Sequence, residues 1–517
     1  MASLIAARGH VCAFLTLFAL GAGACGAQPG PEPTDTVSEA NTARPSPLDA
    51  RIDEFLAARY TPRDVRHSFK TKLGEAIDCI DFFAQPGVKA LAARGTPITE
   101  IPHFAIPADV QAKLDAKPAV NDDPTFDSAP DEEGNARACP DGTVPTLRVT
   151  REQIQRAGGI DAYHRRAARK GPPKAKVPGL PEFQGYGHVQ TSFDGVHAIA
   201  GISVMTIATP RLPANAVAEQ DHSLVQTWTF SGNSMGPGCG TDCFQTVEAG
   251  WDVDPSLFSD ANPHLFIFGT ADGYVTGCYN NEASTGTCMP WVTVPGAKLA
   301  LGQAVASSTP GGTQSELTVY TLNSAPGAWP GWVITVGVGN TSTVLGYYPI
   351  TNFGSGPMAT AATTFQVGGE VYDGVAYGSG IWTDPASVPM GMGGLGGDST
   401  AGQGYTYTAV QHDYAYFNGS AWISAAPAPI TTRRSSYMWS QSFPGGSSTW
   451  KNHFYFGDVI PACVIDGVNY YAGQAERGSK NGCFVCVPSV STTSWSLCAD
   501  EGLVCHTNRG FSTCVAP

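Results

Sequence analysis

Thr246-Val247-Glu248-Ala249-Gly250-Trp251-Asp252-Val253 is the stretch on which the fold turns. Its residues alternate. Val247, Ala249, Trp251 and Val253 fall on one face of an extended chain, and Thr246, Glu248, Gly250 and Asp252 on the other. A period of two with one apolar face marks a strand packed on a core. Thr364-Phe365-Gln366-Val367-Gly368-Gly369-Glu370-Val371-Tyr372 reads the same way, with Phe365, Val367 and Val371 inward and Thr364, Gln366, Gly368, Glu370 and Tyr372 outward. Around these two stretches lie further β-branched and aromatic runs at 198–207, 224–230, 265–268, 316–321, 332–338 and 405–417, separated by Gly, Pro, Asn and Asp clusters. Many short strands with turn signals predict a mainly β protein, an antiparallel sandwich or barrel over residues 181–456.

The flanks read differently. Arg8 and His10 precede an apolar run from Val11 to Leu20 and the small residues Ala22-Gly23-Ala24, which predicts an export signal over residues 1–24. The run is too short to span a bilayer. Cleavage before Cys25 would leave a thiol able to carry a lipid anchor; against that, Ala22 stands where a lipobox has Leu, and simple cleavage nearby is the other reading. Residues 25–47, rich in Pro, Thr and Ala, read as a disordered tether. From 48 onward Leu48, Ile52, Phe55 and Leu56 recur at helical spacing behind Ser46 and Pro47, so residues 48–180 are expected to form a small, partly helical unit. That unit ends in a basic, proline-bearing run that includes Arg165, Arg166, Lys170, Pro172, Pro173 and Pro178. It is either a solvated linker or a processing site, since exposed flexible loops are where proteases cut.

The chain has 517 residues, more than one core usually holds, with 44 acidic against 30 basic residues and a formal charge of −14. That balance argues against binding nucleic acid through its phosphates. Fourteen cysteines in an exported chain read as disulfides. With Cys12 and Cys25 set aside, Cys79, Cys139, Cys239, Cys243, Cys278 and Cys288 form one even set, with Cys79–Cys139 closing the N-terminal unit. The other six lie in residues 457–517, a compact unit too small for a large core and expected to depend on its bridges.

The sandwich region carries few charges, and Glu219, Glu248, Glu282, Glu316 and Glu370 are its glutamates between 200 and 455. Glu219, Glu282 and Glu316 sit in loops or at a strand start. Glu248 and Glu370 sit mid-strand on polar faces, each near a glycine that leaves space for a ligand or another backbone. Pattern alone also allows two surface residues on the outer face of a sandwich.

The motifs decide between these readings. Glu248-Ala249-Gly250-Trp251-Asp252-Val253-Asp254-Pro255, then Asp272-Gly273-Tyr274, Thr276-Gly277-Cys278-Tyr279-Asn280, Gly346-Tyr347-Tyr348-Pro349 and Gly368-Gly369-Glu370-Val371 follow one another in an order that resembles the neprosin family. Gln226 and Trp228 fit its Gln-x-Trp element, and Asp78-Cys79-Ile80-Asp81 and Cys139-Pro140-Asp141-Gly142 are similar to its activation region. The likeness covers about residues 75–430 and stops short of the cysteine-rich tail. Val367 departs from it, standing where the family usually has an aromatic. The resemblance implies a glutamic peptidase on a β-sandwich, made as a zymogen, that cuts peptides after proline and uses Glu248 and Glu370. Two carboxylates flanking a water suit that chemistry: the ionised one takes the water's proton and the protonated one donates to the carbonyl oxygen or leaving nitrogen, with proximity letting the pair share one proton in acid. The sequence does not divide the roles. Gln226, Trp251, Gln366 and Tyr372 are the candidates for positioning substrate and stabilising the oxyanion.

Other signals are weaker. Gly232-Asn233-Ser234-Met235-Gly236 has the spacing of a nucleophile elbow, but Pro237-Gly238-Cys239-Gly240 forbids the helix that must follow. Cys483 and Cys486 have zinc-ligand spacing yet sit among disulfide-type cysteines. No HExxH or phosphate loop occurs, so neither metal nor cofactor is expected. A glycosidase, since sandwiches also carry paired carboxylates for sugars, and a non-catalytic binding module remain the alternative readings.

Overall fold

The computed structural model describes residues 47–115, 127–156, 186–374 apart from a few loop positions, 388–392, 408–424 and 452–457, with short strands between 431 and 515 and isolated positions such as Thr125, Ile160 and Tyr163. The expected export signal, Cys25, the tether up to Ser46 and the basic run at 165–178 lie outside the described residues. Met1–Pro45 forms one unit of the chain and Ser46–Pro517 the other, which holds every element below.

The sandwich is there. Its strands are β4 (Tyr186–Ala198), β5 (Ala200–Thr206), β6 (His222–Ser231), β7 (Gln245–Val253), β8 (His264–Thr270), β9 (Val292–Thr293), β10 (Glu316–Asn323), β11 (Gly331–Val338), β12 (Thr341–Pro349), β13 (Ala362–Tyr372), β14 (Ala409–Phe417), β15 (Trp422–Ile423), β16 (Thr431–Thr432), β17 (Trp439–Ser442) and β18 (His453–Phe456); β1–β3 belong to the N-terminal region. One sheet runs β16-β4-β13-β6-β7-β8 and the other β17-β18-β14-β5-β10-β11-β12-β9, with β15 on β14. Val225, Ala249, Trp251, Ile267, Phe365 and Val367 from the first sheet meet Met205, Val319, Ile334, Val336, Tyr414 and Phe454 from the second. Alternation sends those side chains inward, so the polar half of each strand in the six-stranded sheet faces out.

The N-terminal region covers part of that outer face and packs also on the outer face of the other sheet, where Val88 and Leu91 meet Val333 and Tyr347, and Val110 meets Ile202 and Tyr320. It contains α1 (Pro47–Arg59), β1 (Val65–Lys70), β2 (Ala76–Asp81), α2 (Pro86–Ala93), α3 (Ala108–Asp115), β3 (Thr143–Leu147) and α4 (Arg151–Arg156). Three antiparallel strands in the order β1-β2-β3 make its sheet, and the Cys79–Cys139 bridge closes it. Ile52 and Phe55 of α1, Ile154 of α4, Ile160 and Tyr163 pack on Leu224, Phe266, Phe268 and Tyr279 of the sandwich. At about 2 kcal/mol for each large apolar side chain buried, these five contribute roughly 10 kcal/mol before ordering costs. Polar clamps fix the register. The Gln85 amide donates to Thr293 O and accepts from Thr293 N at 3.0 and 2.8 Å, pairing with β9 as a strand would, and Ala304 N donates to Glu75 at 2.7 Å. Gly87 of α2 lies so close to Trp291 that a Cβ there would sit 1.7 Å from its carbonyl oxygen.

Cys239–Cys243 and Cys278–Cys288 are also bonded. The tail forms short two-stranded ribbons, among them Val504–Asn508 with Phe511–Val515; the bridges expected there lie outside the described residues.

Candidate active site

The register of three strands builds the site. Glu248 on β7 lies opposite Trp228 on β6, which lies opposite Gln366 on β13. Two residues along, Gly250, Gln226 and Gly368 form the next row; two further, Asp252, Leu224 and Glu370 form the third. Opposed residues share a face, so Glu248, Gln226 and Glu370 make a diagonal across one surface with Gln226 at its midpoint. The glutamates are two strands and four residues apart, on the order of 16 Å between Cα atoms at ordinary strand spacing and rise. Gly250 and Gly368 flank Gln226 for a steric reason. A Cβ at Gly250 would lie 2.0 Å from Val225 O, and one at Gly368 2.1 Å from Val189 O.

Each glutamate has its own neighbours. Tyr274 OH donates to Glu248 Oε1 at 2.9 Å. With the Gln226 amide oriented to satisfy both partners, its Nε2 donates to Glu248 Oε2 at 3.1 Å and its Oε1 accepts from Trp228 Nε1 at 2.8 Å. Around Glu370, His188 Nε2 lies 2.9 Å from Oε2, and His222 Nε2 lies 4.0 Å from Oε1, beyond hydrogen-bond reach but within ion-pair range. One strand, β6, lies between the two that carry the glutamates. Glu248 is 1% exposed and Glu370 and Gln226 are 0% exposed. Part of the cover is the N-terminal region, since Leu224 and Phe268, which it packs on, share the rows of the glutamates, and Phe266 shares that of Gln226.

The other sequence-chosen residues divide. Tyr372 joins the site: its ring stacks on His222 with centroids 5.5 Å apart and packs on Tyr186 at 4.8 Å. Gln366 is on the same face and donates to Ser192 Oγ at 3.1 Å. Trp251 does not belong to the site. It points into the core between the sheets, fully buried, and its Nε1 donates to Thr206 O at 2.8 Å. The reason is parity, since an odd offset from Glu248 puts a side chain on the opposite face.

Four site residues escaped the sequence reading. Tyr274 was visible only as part of a motif. It adopts φ 63°, a left-handed conformation costing about 1 kcal/mol for a residue with a side chain. Asp272 holds that turn, accepting from Thr276 N at 2.9 Å, Thr276 Oγ1 at 2.7 Å and Thr270 Oγ1 at 2.9 Å. His188 sits on β4, a strand the sequence hid, whereas His222 was legible from the alternation His222, Leu224, Gln226, Trp228. Asp252 is fully buried, and neither of its carboxyl oxygens has a hydrogen-bond partner among the described residues. Burial pushes its pKa up, against the pull of His222. For His222, burial opposes protonation, but Glu370, Asp252 and Asp254 outweigh it and raise the imidazole to about 9.

The comparison with protein families covers this region. Residues 219–458 match the Neprosin family model. Among solved structures, the chain is similar to SCP-B, a member of the Eqolisin family of peptidases in a complex with the tripeptide Ala-Ile-His, at 9% identity over 53% of this chain and 97% of that one, with a TM-score of 0.26. It is also similar to the alginate lyase Aly36B, at 10% identity over 36% of this chain and 71% of that one, with a TM-score of 0.21.

Proposed function

We propose that this chain, whose residues 219–458 match the Neprosin family model, is an exported, acid-active glutamic endopeptidase that cleaves after proline, with Glu248 and Glu370 as its catalytic carboxyls. The observation that carries this reading is the diagonal Glu248–Gln226–Glu370 on one buried sheet face inside the matched domain. A substrate peptide laid along that face would present its scissile carbonyl and a water between the two carboxyls. One carboxylate takes a proton from the water as its oxygen bonds to the carbonyl carbon, and the other carboxyl gives its proton to the carbonyl oxygen. Collapse then breaks the C–N bond as the nitrogen takes a proton. In this proposal the Gln226 amide, between the two, binds the developing oxyanion.

The region before the sandwich serves, in this proposal, as the inhibitory part of a zymogen, because Ile52, Phe55, Ile154, Ile160 and Tyr163 occupy the apolar part of the substrate face. Self-cleavage in the 165–178 run would release it. Export through residues 1–24, with Cys25 as a point for lipid, is part of the same proposal.

A peptide library digested at about pH 3 to 4 by the full chain and by Glu248→Gln and Glu370→Gln tests it. Cuts after proline that vanish in both variants are expected. Undiminished cleavage by either variant, or cleavage of oligosaccharides instead of peptides, would sink the reading. A Glu370→Gln precursor that matures normally would remove self-cleavage alone.

A further inference from the structure

The two glutamates are unequally supplied with imidazoles, and the proposed function leaves their roles undivided. Glu370 is flanked by one on each side: His188 on β4 faces Oε2 at 2.9 Å, and His222 on β6 faces Oε1 at 4.0 Å. An N–H donated to a carboxylate, or a positive charge a few ångströms from it, favours its ionised form, and burial makes the effect larger than it would be in water. Both conditions hold, because Glu370 is 0% exposed and His222 is 7% exposed.

We propose that His222, with His188, is a positioning residue that keeps Glu370 a carboxylate in acid, so that Glu370 is the base of the pair and Glu248 the acid. The inference rests on the peptidase reading above. It solves a problem that any acid-active carboxylate base has: at the pH where the enzyme works, an ordinary glutamate takes up a proton and stops accepting one from water.

The groups around His222 support this assignment. From β13 it faces Glu370 and the ring of Tyr372, from β4 Tyr186, from β7 Asp252, from just beyond β7 Asp254, and from the segment after β8 Tyr279. Of these, Glu370, Asp252 and Asp254 carry the negative charge that raises His222. Burial holds the Asp252 carboxyl protonated in acid, so Asp252 does not then cancel the imidazolium. One oxygen of Asp254 accepts from Ser256 N and Leu257 N at 2.8 and 3.1 Å and caps the helical turn Pro255–Phe258. Among the described residues, Glu370 is the carboxyl within ion-pair range of His222. The rings of Tyr372 and Tyr279 around His222 exclude water and fix its orientation.

The test is the pH dependence of kcat/KM for a proline-containing peptide, measured on the activated full chain between about pH 2 and 7. The variants are His222→Gln, His222→Phe and Asp252→Asn, with Glu370→Gln as control. An opposite charge within about 4 to 6 Å lowers a carboxyl pKa by about one to three units. Both His222 variants are therefore expected to move the acid limb up by about one pH unit, a loss of about tenfold on its acid side. Asp252→Asn is expected to leave that limb in place. A merely structural role for His222 would lower the whole profile without moving it, and that result overturns the proposal, as does a limb that follows Asp252→Asn. Should neither His222 variant fold, NMR titration of the His222 imidazole in the wild type and in Glu370→Gln decides. A downward shift of at least about one unit is expected on losing the paired carboxylate, and an unchanged titration overturns the pairing. If Glu370→Gln cleaves as the wild type does, the peptidase reading itself falls. If Glu370→Gln is dead while the His222 variants keep the limb, only the assignment of roles falls.

Discussion

Asp78→Asn should loosen the N-terminal region at neutral pH in the way acid loosens it in the wild type. Asp78 of β2 accepts from Tyr60 OH at 2.7 Å, from Ser68 Oγ at 2.7 Å and from both Arg148 Nε, at 2.9 Å, and Arg148 Nη2. One carboxylate thus ties the segment after α1, β1 and the segment after β3 together. Breaking a buried ion pair by removing one partner costs about 3–5 kcal/mol. Arg148 is 45% exposed, so water takes up part of its loss and about 2 kcal/mol remains. Protonation removes the same charge. Burial alone would raise the Asp78 pKa, but Arg148, Ser68 and Tyr60 hold it below the ordinary carboxylate value. A depressed folded pKa means stability that is present above the unfolded pKa and lost as pH falls through the folded one. Asp131 behaves alike: desolvation is outweighed by the N–H groups of Lys70, Asn135 and Glu133, which bring it to about 2. The window of loss therefore runs from about pH 4 to about pH 2. On the sandwich face, burial instead raises Asp252, whose protonation costs the fold nothing in that window. Hydrogen exchange of the full chain, read by mass spectrometry, should show β1–β3 losing protection in acid while β6, β7 and β13 keep theirs. At pH 7, Asp78→Asn should exchange in β2 about thirtyfold faster, the equivalent of 2 kcal/mol. Equal protection of β2 at pH 3 and 7, or wild-type protection in the variant, would refute the reasoning.

Two further outcomes follow from the geometry. Trp251→Phe leaves the buried Thr206 carbonyl without its donor and a gap where the indole was; it should destabilise the sandwich by about 2–4 kcal/mol in urea unfolding, and a raised KM at unchanged stability would return Trp251 to the substrate face. Gly368→Ala pushes a methyl against Val189 O and should lower stability by about 1–3 kcal/mol, with thermal unfolding indistinguishable from the wild type as the contrary result.

Much of the candidate site was legible locally. Alternation around Glu248 and Glu370 placed each on a polar face, and the glycines beside them marked special positions. The same alternation put Trp251 on the core side, and counting parity alone was enough to discount it as a substrate contact. Strand β4 was harder to read. In Tyr186-Gly187-His188-Val189-Gln190-Thr191-Ser192-Phe193 the inward positions are Gly187, Val189, Thr191 and Phe193, only two of them strongly apolar. With β4 unseen, His188 had no face to be assigned to, and the imidazole clamp on Glu370 was out of reach.

The sequence by itself determined the strand periodicity, the scarcity of charge that singled out two glutamates, and the motifs that tie residues 219–458 to a family, because each depends on residues within one strand or turn. Only the tertiary structure decided how far apart those glutamates stand and what surrounds them. Their separation is set by strand order and register, with β6 placed between β7 and β13. Their neighbours come from β4, β6 and the turn after β8, and part of their cover from helices far away in the chain. Those contacts depend on how sheet faces and edges find their partners, and neither is written in the alternation of any one strand.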